Sequence, residues 1–96
     1  MAVVVISRWK GPPDPGLAKE AAPIFKRHGA VGVRLGYCHA GPYAGQIYTA
    51  ITFPDFAAYG AGMQAVLADP DYQRLLTQIQ SVFELQERSV LMVEEL

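Results

Sequence analysis

The segment Val31–Phe53, VGVRLGYCHAGPYAGQIYTAITF, decides the fold. Its two ends, Val31–Cys38 and Gln46–Phe53, are rich in β-branched and aromatic residues, and HAGPYAG between them holds two glycines and a proline. Two short apolar runs around such a breaker read as strands joined by a chain reversal, an antiparallel hairpin. Side chains alternate between faces in a strand. The first strand therefore divides into Val31, Val33, Leu35, Tyr37 and His39 against Gly32, Arg34, Gly36 and Cys38. The second divides into Ile47, Thr49, Ile51 and Phe53 against Gln46, Tyr48, Ala50 and Thr52. Matching apolar with apolar groups Arg34, Cys38, Gln46, Tyr48 and Thr52, whereas a slip of one residue would group Tyr37 and His39 with Tyr48.

Upstream of the hairpin, Ala2–Lys10 (AVVVISRWK) is a β-branched strand whose continuous apolar run predicts burial on both faces. GPPDPG at Gly11–Gly16 ends it. A helix over Leu17–His28 follows, with Leu17, Ala21, Ile24, Phe25 and His28 on one side and Gly29 as its stop. Pro23 inside it predicts a kink or a short first segment.

Downstream, Asp55 caps a second helix carrying Phe56, Tyr59, Met63, Val66 and Leu67 at helical spacing. ADPDYQRLL at Ala68–Leu76 interrupts or bends it, since Asp69 suits a cap, Pro70 a first helical position and Asp71 the positive end of the dipole. Phe83–Glu94 closes the chain with SVLMV, another run predicting burial on both faces.

The resulting order, β-α-β-β-α-β, is the ferredoxin-like α+β pattern: one domain over residues 1–96, a four-stranded antiparallel sheet with two helices on one face. Two strands that read as buried on both sides need a cover for the other face. A second copy of the sheet is the economical one, giving a homodimer. Composition agrees, because 51% hydrophobic and 18% charged residues are more apolar than so short a chain easily hides.

The net charge of −1 and pI near 6.0, with no basic stripe, argue against nucleic acid as a partner. Ala2–Ile6 is too short for a membrane span and has no basic residue before it, so a cytoplasmic protein is expected, with no membrane partner. One cysteine agrees with a reducing compartment.

The chain resembles the dimeric α/β-barrel superfamily, which holds the antibiotic-biosynthesis-monooxygenase-like, EthD-like and NIPSNAP-like proteins. The resemblance rests on the element order, on APIFKRHGA at Ala22–Ala30, and on DFAAYGAGMQAVLADPDYQRLL at Asp55–Leu76. It implies two sheets face to face in a barrel, with a pocket inside the barrel or between each sheet and its helices. Related monooxygenases tend to place Asn, Trp and His or Arg around a cofactor-free oxygenation site. This sequence has no Asn, and no Trp on the second helix, so that residue set does not carry over.

Candidate ligand-binding residues are Arg34 and Tyr48, a fork of donors and a phenolic handle on one face of the hairpin, with His39 and Trp9 beside them. The competing reading makes Arg34 an interfacial ion-pair member and Tyr48 and Trp9 interface packing. Cys38 and His39 point to opposite faces of a strand and so do not form a nucleophile and base. His28 suits the negative end of the helix dipole. The two histidines and the cysteine lack metal-ligand spacing, so no metal is expected. No cofactor is expected either, although one axial histidine for a haem would leave no motif.

The leading expectation is a protein binding a small, mostly apolar molecule. The alternatives are cofactor-independent oxygenation or isomerisation of an aromatic or polyketide-like substrate, and an interaction module with a filled interior.

Overall fold

A computed structural model describes residues Met1–Leu96. The chain runs β1 (Ala2–Lys10), α1 (Gly16–Arg27), β2 (Gly32–Tyr37), β3 (Ile47–Phe53), α2 (Phe56–Ala68), α3 (Pro70–Val82) and β4 (Glu84–Val93). The strands form one sheet in the order β2-β3-β1-β4, with every neighbouring pair antiparallel. The architecture is α+β and ferredoxin-like.

Register assigns the faces. Val5 and Val33 both stand beside Ile51, and Ser7 and Leu35 beside Thr49. The odd-numbered residues of all three strands therefore face the helices, while Arg34, Tyr48 and Thr52 share the opposite, open face. The core lies where Val5 and Phe53 meet Ala21, Ile24 and Phe25 of α1, Val66 of α2 and Leu75 of α3.

The hairpin turn is built as its glycines require. Gly41 and Gly45 take positive φ angles, and the Gly45 N–H donates to the Cys38 carbonyl at 2.8 Å. Asp55 caps α2 by accepting from the Ala58 N–H at 2.7 Å.

Three expectations are refined. The segment Ala68–Leu76 interrupts the second helix rather than bending it, so two helices follow β3. Asp69 takes an extended conformation that ends α2, and its carboxylate accepts from the Asp71 N–H to start α3, with Pro70 at the first position. Second, α1 runs unbroken through Pro23, whose ring is exposed. On that side water can take up the carbonyl that loses its donor. Third, β4 is an edge strand, and in the single chain Val90, Leu91, Met92 and Val93 are all exposed. Only 12 of 96 residues are buried, so much of the hydrophobic content predicted to be hidden lies open. No helix is long and apolar enough to cross a membrane.

Two contacts hold the helical layer. At Gly62, α2 approaches so closely that an added Cβ would stand 2.5 Å from the Phe53 ring and 2.6 Å from the His28 carbonyl oxygen. Asp69 joins all three helices, because the same carboxylate that caps α3 accepts from Arg27 at 2.6 Å and His28 at 2.8 Å at the end of α1. The His28 hydrogen bond, then those of Arg27 and the Asp71 backbone, hold the Asp69 carboxyl well below its ordinary range. His28 thus has a specific partner beyond the helix dipole.

Gly62→Ala should destabilise the fold by about 1–3 kcal/mol in urea titration, since the backbone oxygen it meets cannot swing aside. For Asp69, a depressed folded-state pKa means a contribution that is full above its ordinary value of 3.8 and lost as pH falls below it. The stability deficit of Asp69→Asn, which keeps a capping oxygen, should therefore be largest near neutrality and shrink as denaturation is followed below that pH.

Candidate functional site

A cavity of about 470 Å³ lies between the helix-facing side of the sheet and the helices. Its floor comes from alternate residues of three strands, including Val5, Ser7 and Trp9 of β1, Ile47, Thr49 and Ile51 of β3 and Val33, Leu35 and Tyr37 of β2. Its roof comes from Leu17, Ala21 and Phe25 of α1, Met63 and Leu67 of α2, and Tyr72 and Ile79 of α3, with Phe83 at the entry to β4. Small residues on α1 leave the space open: Ala18, Ala21 and Ala22 all border it.

The polar groups on this lining are few and mostly paired. Trp9 Nε1 donates to Thr49 Oγ1 at 3.0 Å, which fixes the indole against the floor. Ser7 is only 3% exposed, and its Oγ accepts from Arg88 Nε at 2.8 Å across the β1–β4 pair. The Arg88 guanidinium lies 5.8 Å from the centre of the Trp9 ring. Tyr72 packs edge-on against Phe25 at 5.3 Å. Burial pushes the Tyr72 hydroxyl pKa upward, and the positive charge of Arg88 opposes that rise in part.

The rim is the proline-rich loop before α1. The Asp14 N–H donates to the Pro12 carbonyl at 2.8 Å, and the Asp14 side chain accepts from the Gly16 N–H at 2.9 Å. Asp14, Pro15 and Lys19 border the opening.

The four residues singled out from sequence do not converge on this cavity. Trp9 lines it. Arg34 borders it from the edge strand, but its register position, beside Ala50, puts it on the open face. Tyr48 stands on that open face, between Arg8 and Gly36, and His39 is exposed at the start of the hairpin turn. The reason is the period of two: Trp9 pairs with Ile47 and Arg8 with Tyr48, so Trp9 and Tyr48 belong to opposite sides of the sheet. Cys38 Sγ donates to the Ala40 carbonyl at 3.3 Å. No group of three or more His, Cys, Asp or Glu stands together.

Sequence reasoning missed Ser7, Thr49, Tyr72 and Arg88 as cavity residues. A signal existed for two of them. Ser7 interrupts the apolar residues at the buried positions of β1, and Arg88 shares a face with Val90 and Met92.

The open face carries a separate polar knot. Arg8, with a side chain 11% exposed, lies 3.6 Å from the centre of the Tyr43 ring, donates to Gln46 Oε1 at 2.6 Å and reaches Glu87 at 3.7 Å. It pins the hairpin tip to the sheet.

Residues 16–92, from the start of α1 into β4, match the family described as a domain of unknown function, DUF6854. The chain belongs to the DUF6854 family. No curated protein matches the sequence of this DUF6854 member. Among solved structures, it is similar to SnoaB, a cofactor-independent oxygenase from Streptomyces nogalater, at TM-score 0.74 and 16% identity over 99% of this chain and 95% of that one. It is also similar to an uncharacterised NIPSNAP domain protein from Burkholderia xenovorans, at TM-score 0.72 and 18% identity over 96% and 94% of the two chains. A NIPSNAP family protein of unknown function from Agrobacterium tumefaciens follows the same fold, at TM-score 0.69 and 18% identity over 94% and 86%. The superfamily resemblance in the sequence is thereby met in structure, and at these identities the likeness is one of fold.

In an ultraviolet pH titration, a component above the ordinary tyrosine value of 10.0 should vanish from the curve in Tyr72→Phe. Arg88→Gln should move that component higher still, because it removes the charge that favours the phenolate.

Proposed function

We propose that this DUF6854 protein binds a small, mostly apolar molecule in the cavity between its sheet and its helices. The observation that carries the reading is an open space of about 470 Å³ walled mainly by aliphatic and aromatic side chains, with Ser7, Thr49, Tyr72 and Arg88 as sparse polar groups and Asp14, Lys19 and Arg34 at its borders. That combination of an apolar body and sparse, fixed polar atoms is the usual form of a small-molecule site. An interaction module with a filled interior is the weaker reading, since space remains. Trp9 keeps its proposed role as a wall of the site, while Arg34, Tyr48 and His39 are assigned to the open face and its margin.

The proposal includes a homodimer in the cytoplasm, with the open face of one sheet against that of a second copy. Val4, Ile6, Leu91 and Val93 give this face an apolar centre that remains uncovered in a single chain. Arg34 and Tyr48 would then lie within the space between the two sheets.

The catalytic alternative draws on the likeness to SnoaB. Oxygenation or isomerisation of a carbon acid needs a base near the reacting carbon. Neither His28 nor His39 lines the cavity, and its one carboxylate, Asp14, sits at the rim engaged with Gly16. Binding without a built-in base is therefore the reading favoured.

Native mass spectrometry of the protein as purified tests both parts. The expected spectrum is a dimer that retains a small molecule or takes one up from an apolar library. A monomer across the micromolar range would remove the face-to-face pairing, and a dimer that takes up nothing would remove the binding role.

A further inference from the structure

An exposed charge borders the cavity, on Arg88 of β4, and the binding role above assigns it no partner. Arg88 spends one donor, Nε, on Ser7 Oγ at 2.8 Å. Its guanidinium has no carboxylate within salt-bridge distance, although five ion pairs form elsewhere in the chain. The two terminal nitrogens are therefore available while the side chain is anchored by a buried hydroxyl and lies near the Trp9 ring. Lys19 at the opening and Arg34 at the β2 edge, its register position on the open face, are the other two cations on the lining. The only carboxylate there, Asp14, is committed to the Gly16 N–H at the start of α1. The charged side chains bordering the helix side of the cavity thus carry a positive excess over an apolar interior.

From this juxtaposition we infer that the cavity selects ligands with one anionic group, of carboxylate type, on an apolar body, and that the Arg88 fork receives the anion. The inference rests on the binding role proposed above and narrows it to a chemical class. A planar guanidinium held by its Nε presents the remaining donors in parallel, which matches the two oxygens of a carboxylate. The apolar walls then take the rest of the molecule. Ser7 is a positioning residue, since it acts through Arg88.

Decanoate and decanamide test the idea as a matched pair, an anion and a neutral amide on the same chain, both below their aggregation concentrations. Trp9 is the only tryptophan and lines the cavity, so its emission reports occupancy by either probe. Decanoate should bind about three- to thirty-fold more tightly than decanamide, the range of a charge-assisted hydrogen bond discounted for the exposure of Arg88. Arg88→Gln should bring the two affinities to within about two-fold of each other. Arg88→Lys should retain part of the preference, and Lys19→Gln most of it.

Equal affinities in the unsubstituted protein would overturn the anion assignment and leave the binding role standing. A preference that survives in Arg88→Gln and disappears in Lys19→Gln would also overturn it, by moving the anion to the rim. If neither probe perturbs Trp9, the binding role itself fails together with the inference. The comparison of acid and amide on the unsubstituted protein needs no variant to fold.

Discussion

Ile51 sits beside Val5 on one side and Val33 on the other, and this shared position fixes the faces of the three strands it joins. Because side chains alternate with a period of two, a slip of β3 by one residue at that point would exchange its occupants of the two faces. Ile47, Thr49 and Ile51 would leave the helix side, and Tyr48, Ala50 and Thr52 would enter it. Core, cavity and open face are thus one decision made in the β1–β3–β2 register. The hairpin turn and the Arg8 contacts with Tyr43 and Gln46 guard it at one end. The bulge between Arg8 and Trp9, where Leu85 and Glu87 of β4 flank an extra residue, marks where the edge strand departs from it.

The helical layer is held by few atoms placed well. Gly62 lets α2 settle onto Phe53 and the end of α1, and the Asp69 carboxylate ties that end to the start of α3. Neither contact involves the cavity. The space beneath the helices can therefore persist, because the roof is fastened at its far corner and by Phe25 on Tyr72, not by side chains filling the middle. A domain of this size would ordinarily collapse such a space.

Strand and helix boundaries, both aspartate caps, the glycine turns and the ferredoxin-like order were legible in the sequence because each rests on local chemistry. Asp55 and Asp69 announce helix starts whatever lies around them. Grouping Arg34 with Tyr48 and Thr52 was also legible, through the apolar match of two adjacent strands. What a single strand could not declare was its neighbourhood. SVLMV in β4 reads as doubly buried by composition, yet its place at the edge leaves it open. Arg88 and Ser7 are 81 positions apart and meet only because β1 pairs with β4, so their hydrogen bond had no local signature. The same limit explains why Trp9 was grouped with Tyr48: nearness along the sheet was visible, but the side on which the cavity opens was not.

The loop ahead of α1 carries a consequence for the thermodynamics of entry. Pro12, Pro13 and Pro15 each fix a φ angle, and Asp14 closes a turn onto Gly16. The lip of the cavity is thus stiff before anything arrives. Where a flexible rim would have to surrender backbone freedom to close around a guest, this one has surrendered it on folding. For the proposed binding role, the shape component of selectivity at this opening would be static, set by which outlines pass a preformed gate.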